Sequence, residues 1–408
     1  MYPLALTIVA AKSEGKRIQS IGKPTTTHFQ KEYDGRPILL CALYQKGAIR
    51  PDCLRMLQAA RDNGMYIVGV NTLRLSNPEA QMDVFDCYIE KFNFGRDFSS
   101  YKAGFQHIFR QGWHNSCQRL VMINDSTFFA RDRVKDFFKD LLDSDIEVLG
   151  STENYEIEYH LGSFCISMSG SILRQKRFQT YWKKYRLSDI RPVVIYRGEM
   201  KLSRTLKRCA SSASQFQALY STVRFHNEIS RDTDLSRFAL ITARTSALAG
   251  WPRLSAETIL EFMESRFIEK YNKFDEDTLL QSETTSLTQE VYVETYEDVE
   301  NFLNRHLPAD RRIPKDTLHR IIIGMQTEVF MRGSQVHQNA TVLLKMGLPL
   351  VKLDGLYRGM FNLYDLNTME LTLHPEDVGE LRHLILQRPY GGDVLFGWKS
   401  AAFRRGLI

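Results

Sequence analysis

At 408 residues the chain is longer than a single hydrophobic core usually serves, which predicts two lobes or one α/β domain with a large extension. Its 43% hydrophobic, 25% charged and 11% aromatic content, with only 24 Gly and 12 Pro, excludes collagen-like and largely disordered chains. The 54 basic and 48 acidic side chains leave a net +6 that is not gathered into one long run, which favours anionic small ligands or a transient membrane surface and argues against nucleic acid as a partner.

Residues 1 to 36 mix short apolar and polar pieces and read as a leader strand or loop. The apolar stretch Leu4 to Ala11 is about half the roughly 20 residues a spanning helix needs, and Lys12, Lys16 and Arg17 follow it, the wrong order for a secretory signal. The six cysteines are scattered without CxxC pairing and read as reduced core thiols, so the expected location is cytoplasmic, with peripheral contact at the inner membrane face allowed.

From Arg36 the pattern sharpens. Pro37 to Tyr44 is a continuous apolar run suited to a strand buried on both faces, Pro51 to Asn63 has helical spacing ending at Gly64, and Met65 to Val70 is a second strand. This is a βαβ unit, whose ligand end is the carboxyl edge of its strands. Cys87 to Glu90, Gln118 to Ile123, Glu147 to Gly150 and Gly162 to Met168 read as further strands, and Tyr101 to Arg110 and Val134 to Leu142 as helices. The alternation predicts an α/β fold with an open, mostly parallel sheet over 37–210. Residues 211–408 read as mainly helical, through Leu219 to Leu248 and Ala256 to Phe274, with a polar connector from Asp275 to Glu290 and a strand-like run ending at Lys352.

Three polar clusters fall at predicted strand ends. In the first, Asn93 to Gly104, Gly95 permits close backbone approach, Arg96 and Lys102 offer charge to phosphate oxygens, and Asp97 can accept bonds from a ribose or base, or simply cap a helix. In the second, Asn124-Asp125-Ser126 follows an apolar run, where Asp125 is a candidate for a divalent cation against a diphosphate, or belongs to an Asx turn. In the third, Glu199 opens an amphipathic helix, where the dipole would keep it ionised as a general base or as an ordinary first-turn glutamate. His160 can bond a sugar hydroxyl or phosphate, move a proton, or be structural. Glu153, Glu156 and Glu158 read as a solvated loop, and Tyr181, Trp182 and Tyr185 as core packing rather than a sugar platform.

The ordered set Tyr44, Asn71, Asn93-Phe-Gly-Arg-Asp97, Tyr101-Lys-Ala-Gly104, Asn124-Asp-Ser126, Gly150-Ser-Thr152, His160-Leu-Gly-Ser-Phe164 and Glu199 resembles the rhamnan synthesis protein F family of bacterial glycosyltransferases. Asn339-Ala-Thr and Gly347 to Lys352 resemble its distal motif. The resemblance implies a GT-A, Rossmann-like fold and a nucleotide-sugar donor, with an oligosaccharide or lipid-linked glycan as acceptor. It puts Asn93, Gly95, Arg96, Asp97, Lys102, Asn124 and Ser126 near the donor. Asp125 would stand in the metal-binding Asp-x-Asp position for Mg²⁺ or Mn²⁺, and Glu199 would be the base of an inverting transfer, with His160 beside it. The triplet has one acidic residue where the wider pattern has two, so Arg96, Lys102 or helix N-termini are candidates to replace the cation. A catalytically silent glycan- or partner-binding subunit and a phosphosugar transferase are the alternatives, and Lys399, Arg404 and Arg405 are candidates for weak contact with anionic lipid.

Overall fold

The computed structural model describes residues 2–242, 295, 297, 298, 300, 301, 314–388 and 395–407. The expected helix from Ala256 to Phe274, and the connector from Asp275 to Glu290, lie outside the described residues. The N-terminal segment supplies the expected strand, β1 (Thr26–Gln30), but it begins with a helix that the sequence reading does not predict, α1 (Tyr2–Ser20). Among the described side chains of α1, Ala5, Val9 and Ser13 are the buried ones, a stripe spaced by four. Ala5 and Val9 cluster with Ala402 and Leu407, the first of them on the C-terminal helix Gly397–Arg404.

The expected βαβ unit is present as β2 (Ile38–Leu43), α2 (Pro51–Asp62) and β3 (Tyr66–Asn71). Both strands are buried at every position, as their unbroken apolar character requires of strands covered on two faces. Pro51 occupies the first turn of α2, where its missing N–H costs nothing, and Gly64 takes the positive φ of 73° just beyond the end. The chain continues through β4 (Cys87–Glu90), α3 (Arg96–Arg110), β5 (Arg119–Asn124), β6 (Thr127–Phe129), α4 (Val134–Asp143), β7 (Val148–Asn154), β8 (His160–Leu161) and β9 (Cys165–Ser169). Then come α5 (Gly170–Arg174), α6 (Lys176–Lys184), α7 (Arg191–Val194), a π-helical turn (Ile195–Met200), α8 (Lys201–Lys207), β10 (Phe216–Tyr220), α9 (Thr222–Ile229) and α10 (Thr233–Thr242).

Among the described residues the central sheet has nine strands in the order β1-β4-β3-β2-β5-β9-β7-β10, with β8 beside β7. The pairs β4–β3, β3–β2, β2–β5 and β7–β10 are parallel, whereas β1, β8 and β9 pair antiparallel. The sheet is therefore mixed and mostly parallel, flanked by helices, with a helical C-terminal region. β10 joins the sheet from beyond residue 210, and β1 joins it from the N-terminal segment. One face packs Leu39, Cys41 and Ile67 against α2 and α4; the other packs Leu40, Val68 and Met122 against α3 and α6. Tyr181, Trp182 and Tyr185 belong to that second core, as expected, with the Trp182 ring stacked 4.6 Å from Phe105.

The C-terminal region contributes the helices Lys315–Met331 and Pro375–Leu386 and one short strand, β11 (Leu350–Lys352). β11 pairs antiparallel with β6, so that Lys352 lies opposite Thr127 and the distal segment reaches the Asn124-Asp125-Ser126 turn. Phe330 stacks on Phe225 at 4.2 Å, tying the same region to α9. Among the described residues no helix is long and apolar enough to cross a membrane.

Candidate functional site

Strands β2, β3, β4 and β5 run parallel, and β7 runs the same way because β9 lies antiparallel between β5 and β7. Their carboxyl ends meet at one edge, where a cleft of about 820 Å³ opens. Asn93, Arg96, Asp97, Asn124, Asp125, Ser126, His160 and Glu199 all line it. Three carboxyl groups far apart in the chain are thus brought to one crevice by strand ends and one helical turn.

Gly95 and Lys102 serve the site indirectly. Gly95 has φ of 95°, its N–H donates to Asp189 Oδ1 at 2.7 Å, and a Cβ there would stand 2.9 Å from the Ser99 Cβ. Gly95→Ala should cost about 1–2 kcal/mol from the left-handed backbone alone, read as a lower urea midpoint. Lys102 does not line the cleft; its Nζ donates to the Tyr185 carbonyl at 2.7 Å and fastens α3 to the end of α6. Arg96 also has positive φ, 52°, and its Nε donates to the Asp189 carbonyl at 3.0 Å. Asp189 in turn pairs with Lys16 of α1 at 3.2 Å, so the N-terminal helix forms one wall, through Val9, Lys12, Ser13 and Lys16.

The Asn-Asp-Ser turn divides its labour. Asn124 Nδ2 donates to Asp97 Oδ2 at 2.7 Å, and its Oδ1 accepts from Ser126 Oγ at 2.5 Å. Asp125 is buried, and its Oδ2 accepts from the Tyr44 N–H at 2.7 Å and from the Gln45 amide, while its carbonyl accepts from Arg50 at 3.0 Å. Burial pushes the Asp125 carboxyl up, against the pull of those hydrogen bonds. The donor set does not fit a divalent cation well: one oxygen is already occupied by two donors, Lys352 Nζ sits on Ser126 Oγ at 2.7 Å, and Arg96 and Arg191 share the cleft. Among the described residues no three His, Cys, Asp or Glu side chains are grouped as metal ligands would be.

Glu199 does not open a helix. It sits in the π-helical turn between α7 and α8, well inside a continuous helical run, so the N-terminal dipole does not act on it. Gly198 before it packs so closely on Phe98 that a Cβ would stand 2.7 Å from the ring. Burial among the cleft walls pushes the Glu199 carboxyl up; His160 pulls it down, Asp97 pushes it up again, and Lys352 and Arg191 oppose. His160 Nε2 lies 3.9 Å from Glu199 Oε2, while Nδ1 is 2.8 Å from the Glu158 carbonyl. A carbonyl only accepts, so Nδ1 carries hydrogen and Nε2 is the atom left to exchange a proton with Glu199.

The loop glutamates are not uniformly solvated. Glu153 is buried at the end of β7, where it accepts from Tyr155 and Tyr159 hydroxyls at 3.1 and 3.0 Å and from the Thr222 N–H at 2.6 Å. Glu158 grips Arg204, at 2.6 Å for its closest contact.

Several cleft residues do not stand out as site residues in the sequence, although Lys352 closes the run that resembles the family's distal motif. Lys352, Asp354 and Arg358 arrive with β11 and the turn after it, Arg191 with the first turn of α7, and His337 with a short helix, Gln335–Gln338. Asp354 accepts from His337 at 3.0 Å and from Arg358 at 2.5 Å. Burial would raise its carboxyl, but the hydrogen bond and charge of His337, then Arg358 and Lys352, hold it well below the usual carboxylate range. Burial lowers the Lys352 ammonium, and the carboxylates of Asp354, Asp97 and Glu199 oppose this.

Residues 65–240 match the family described as rhamnan synthesis protein F, which bears out the resemblance drawn from the ordered motifs. An uncharacterized protein, y4gN, of Sinorhizobium fredii is 23% identical over 208 residues, 50% of this chain and 53% of its own length. Virulence protein VirA of Vibrio anguillarum is 29% identical over 111 residues, 27% of this chain and 35% of its own. The chain thus spans about half the length, or less, of these curated relatives. Among solved structures, the glycosyltransferase GlyE of Streptococcus pneumoniae TIGR4 aligns with 73% of this chain and 64% of its own at 9% identity, with a TM-score of only 0.25.

Proposed function

We propose that this protein is a glycosyltransferase of the GT-A type that moves a sugar from a nucleotide-sugar donor to a hydroxyl of a growing bacterial polysaccharide. The carrying observation is that Glu199 and His160 share one cleft with the Asn124–Ser126 turn and a group of cations. The family match over residues 65–240 supports the same reading, and its name suggests rhamnose as the sugar.

Glu199 takes the proton of the acceptor hydroxyl as its oxygen attacks the anomeric carbon. The bond from that carbon to the β-phosphate oxygen breaks, its electron pair leaves with the nucleoside diphosphate, and the sugar inverts. The raised carboxyl makes Glu199 a stronger base once ionised, and His160, through Nε2, positions it and passes the proton onward. Asp97, held by Asn124, is placed to bond the nucleoside. We assign the acceptor, an oligosaccharide or lipid-linked glycan, to the side of the cleft walled by α1 and Trp398, on the cytoplasmic side of the membrane.

Activity requires ionised Glu199, so it should rise with pH through a limb displaced above the ordinary carboxylate range. His160→Gln removes the group that pulls Glu199 down and should move that limb higher still; a limb that stays put in a kcat/KM profile would remove His160 from this role. The function itself is checked by incubating the protein with UDP-, GDP- and dTDP-sugars and an oligosaccharide acceptor, and weighing the products by mass spectrometry. Addition of one sugar residue is expected. Addition of a sugar phosphate, or no consumption of any donor, would sink the proposal.

A further inference from the structure

We infer that the donor's diphosphate is bound without a divalent cation, by the ammonium of Lys352 and the guanidinium groups of Arg191 and Arg96. This rests on the nucleotide-sugar reading and adds the chemistry of its leaving-group site. The pairing of β11 with β6 carries Lys352 to the turn where a metal ligand is expected, and its Nζ bonds Ser126 Oγ at 2.7 Å over the Phe164 ring. A positive charge therefore already stands at that turn. Arg191 reaches the cleft from the helical run that carries Glu199, and Arg96 as the first residue of α3.

Three of the cleft's carboxylates already hold other groups. Asp125 Oδ2 serves Tyr44 and Gln45, Asp97 holds Asn124, and Asp354 is taken by His337 and Arg358. Among the described residues, none of Lys352, Arg191 and Arg96 has a carboxylate oxygen within the 4.0 Å of an ion pair, and all three are only partly exposed. Partly buried cations whose counter-charges stand beyond contact distance are stabilised by a ligand that brings one into contact. A diphosphate supplies two negative groups, and Lys and Arg are the side chains that bind phosphate as point charge and fork. When the anomeric bond breaks, the new charge on the β-phosphate is met by groups already in place.

Calorimetric titration of UDP, GDP and dTDP, each beside its monophosphate, tests this in EDTA and in Mg²⁺. At least one diphosphate should bind equally in both buffers, at least tenfold tighter than its monophosphate, and more weakly as salt rises. Lys352→Gln should weaken that diphosphate about tenfold or more with little change for the monophosphate, and Lys352→Arg should restore most of it. Arg191→Gln is the second variant, and thermal melting of each checks that it is folded. Unchanged affinity in both Gln variants, or binding that needs Mg²⁺ and is lost in Asp125→Asn, overturns the cation cradle while leaving the nucleotide-sugar reading intact. Failure of every nucleoside diphosphate to bind overturns both.

Discussion

Replacing Glu199 with glutamine should slow sugar transfer by about 10²–10⁴-fold, the range general-base assistance supplies, while affinity for the donor nucleotide stays within about twofold. Glutamine keeps the shape and one hydrogen-bonding oxygen, so the turn and its close packing of Gly198 on Phe98 are undisturbed. Only the ability to accept a proton is lost. Turnover and nucleotide affinity therefore separate, as they would not if Glu199 merely held the π-helical turn together. A variant that transfers at the normal rate would move the base elsewhere, with His160 Nε2 as the next candidate at 3.9 Å from the same carboxyl.

Asp125→Ala should cost about 1–3 kcal/mol of stability, because it strips the acceptor from the Tyr44 N–H and from the amide of the buried Gln45 side chain. Loss of the carboxylate also loosens the link between the ends of β2 and β5 on which the cleft floor depends. Urea unfolding followed by tryptophan fluorescence reads the loss, and it should be the same in EDTA and in Mn²⁺. A metal ligand would behave differently: the variant would stay as stable as the parent in EDTA and lose only a stabilisation conferred by Mn²⁺.

The central strands and helices were legible because parallel strands covered on both faces demand continuous apolar runs, and β2, β3 and β5 have them. The cleft was legible for a related reason: polar residues that interrupt such a run fall at the strand's carboxyl end. What escaped was set by contacts across the chain. Helix α1 hides a narrow stripe, leaving Leu4 and Leu6 exposed, so its periodicity is blurred. Strand β10 alternates exposed and buried positions and is only five residues long at the sheet edge, a short signal at the start of a region read as mainly helical. Glu153 carries the same local signature as its exposed neighbours, and only the two tyrosines and Thr222 that surround it make it a buried acceptor.

Glu199 shows the same limit at the site. An acidic residue before an amphipathic stretch normally signals a helix start, but here α7 already precedes it and Glu199 lies in a π-helical turn, 3.9 Å from His160. Lys352 is separated from Ser126 by more than two hundred residues, and only the pairing of β6 with β11 brings them together.

The most direct measurement is a crystal structure of Glu199→Gln with a bound nucleotide sugar. The phosphates should lie against Lys352 and Arg191 beside the Asn124–Ser126 turn, the nucleoside near Asp97, and the sugar's anomeric carbon facing residue 199. A nucleotide seated on another surface, or a sugar turned away from residue 199 with its phosphates free of those cations, would contradict it.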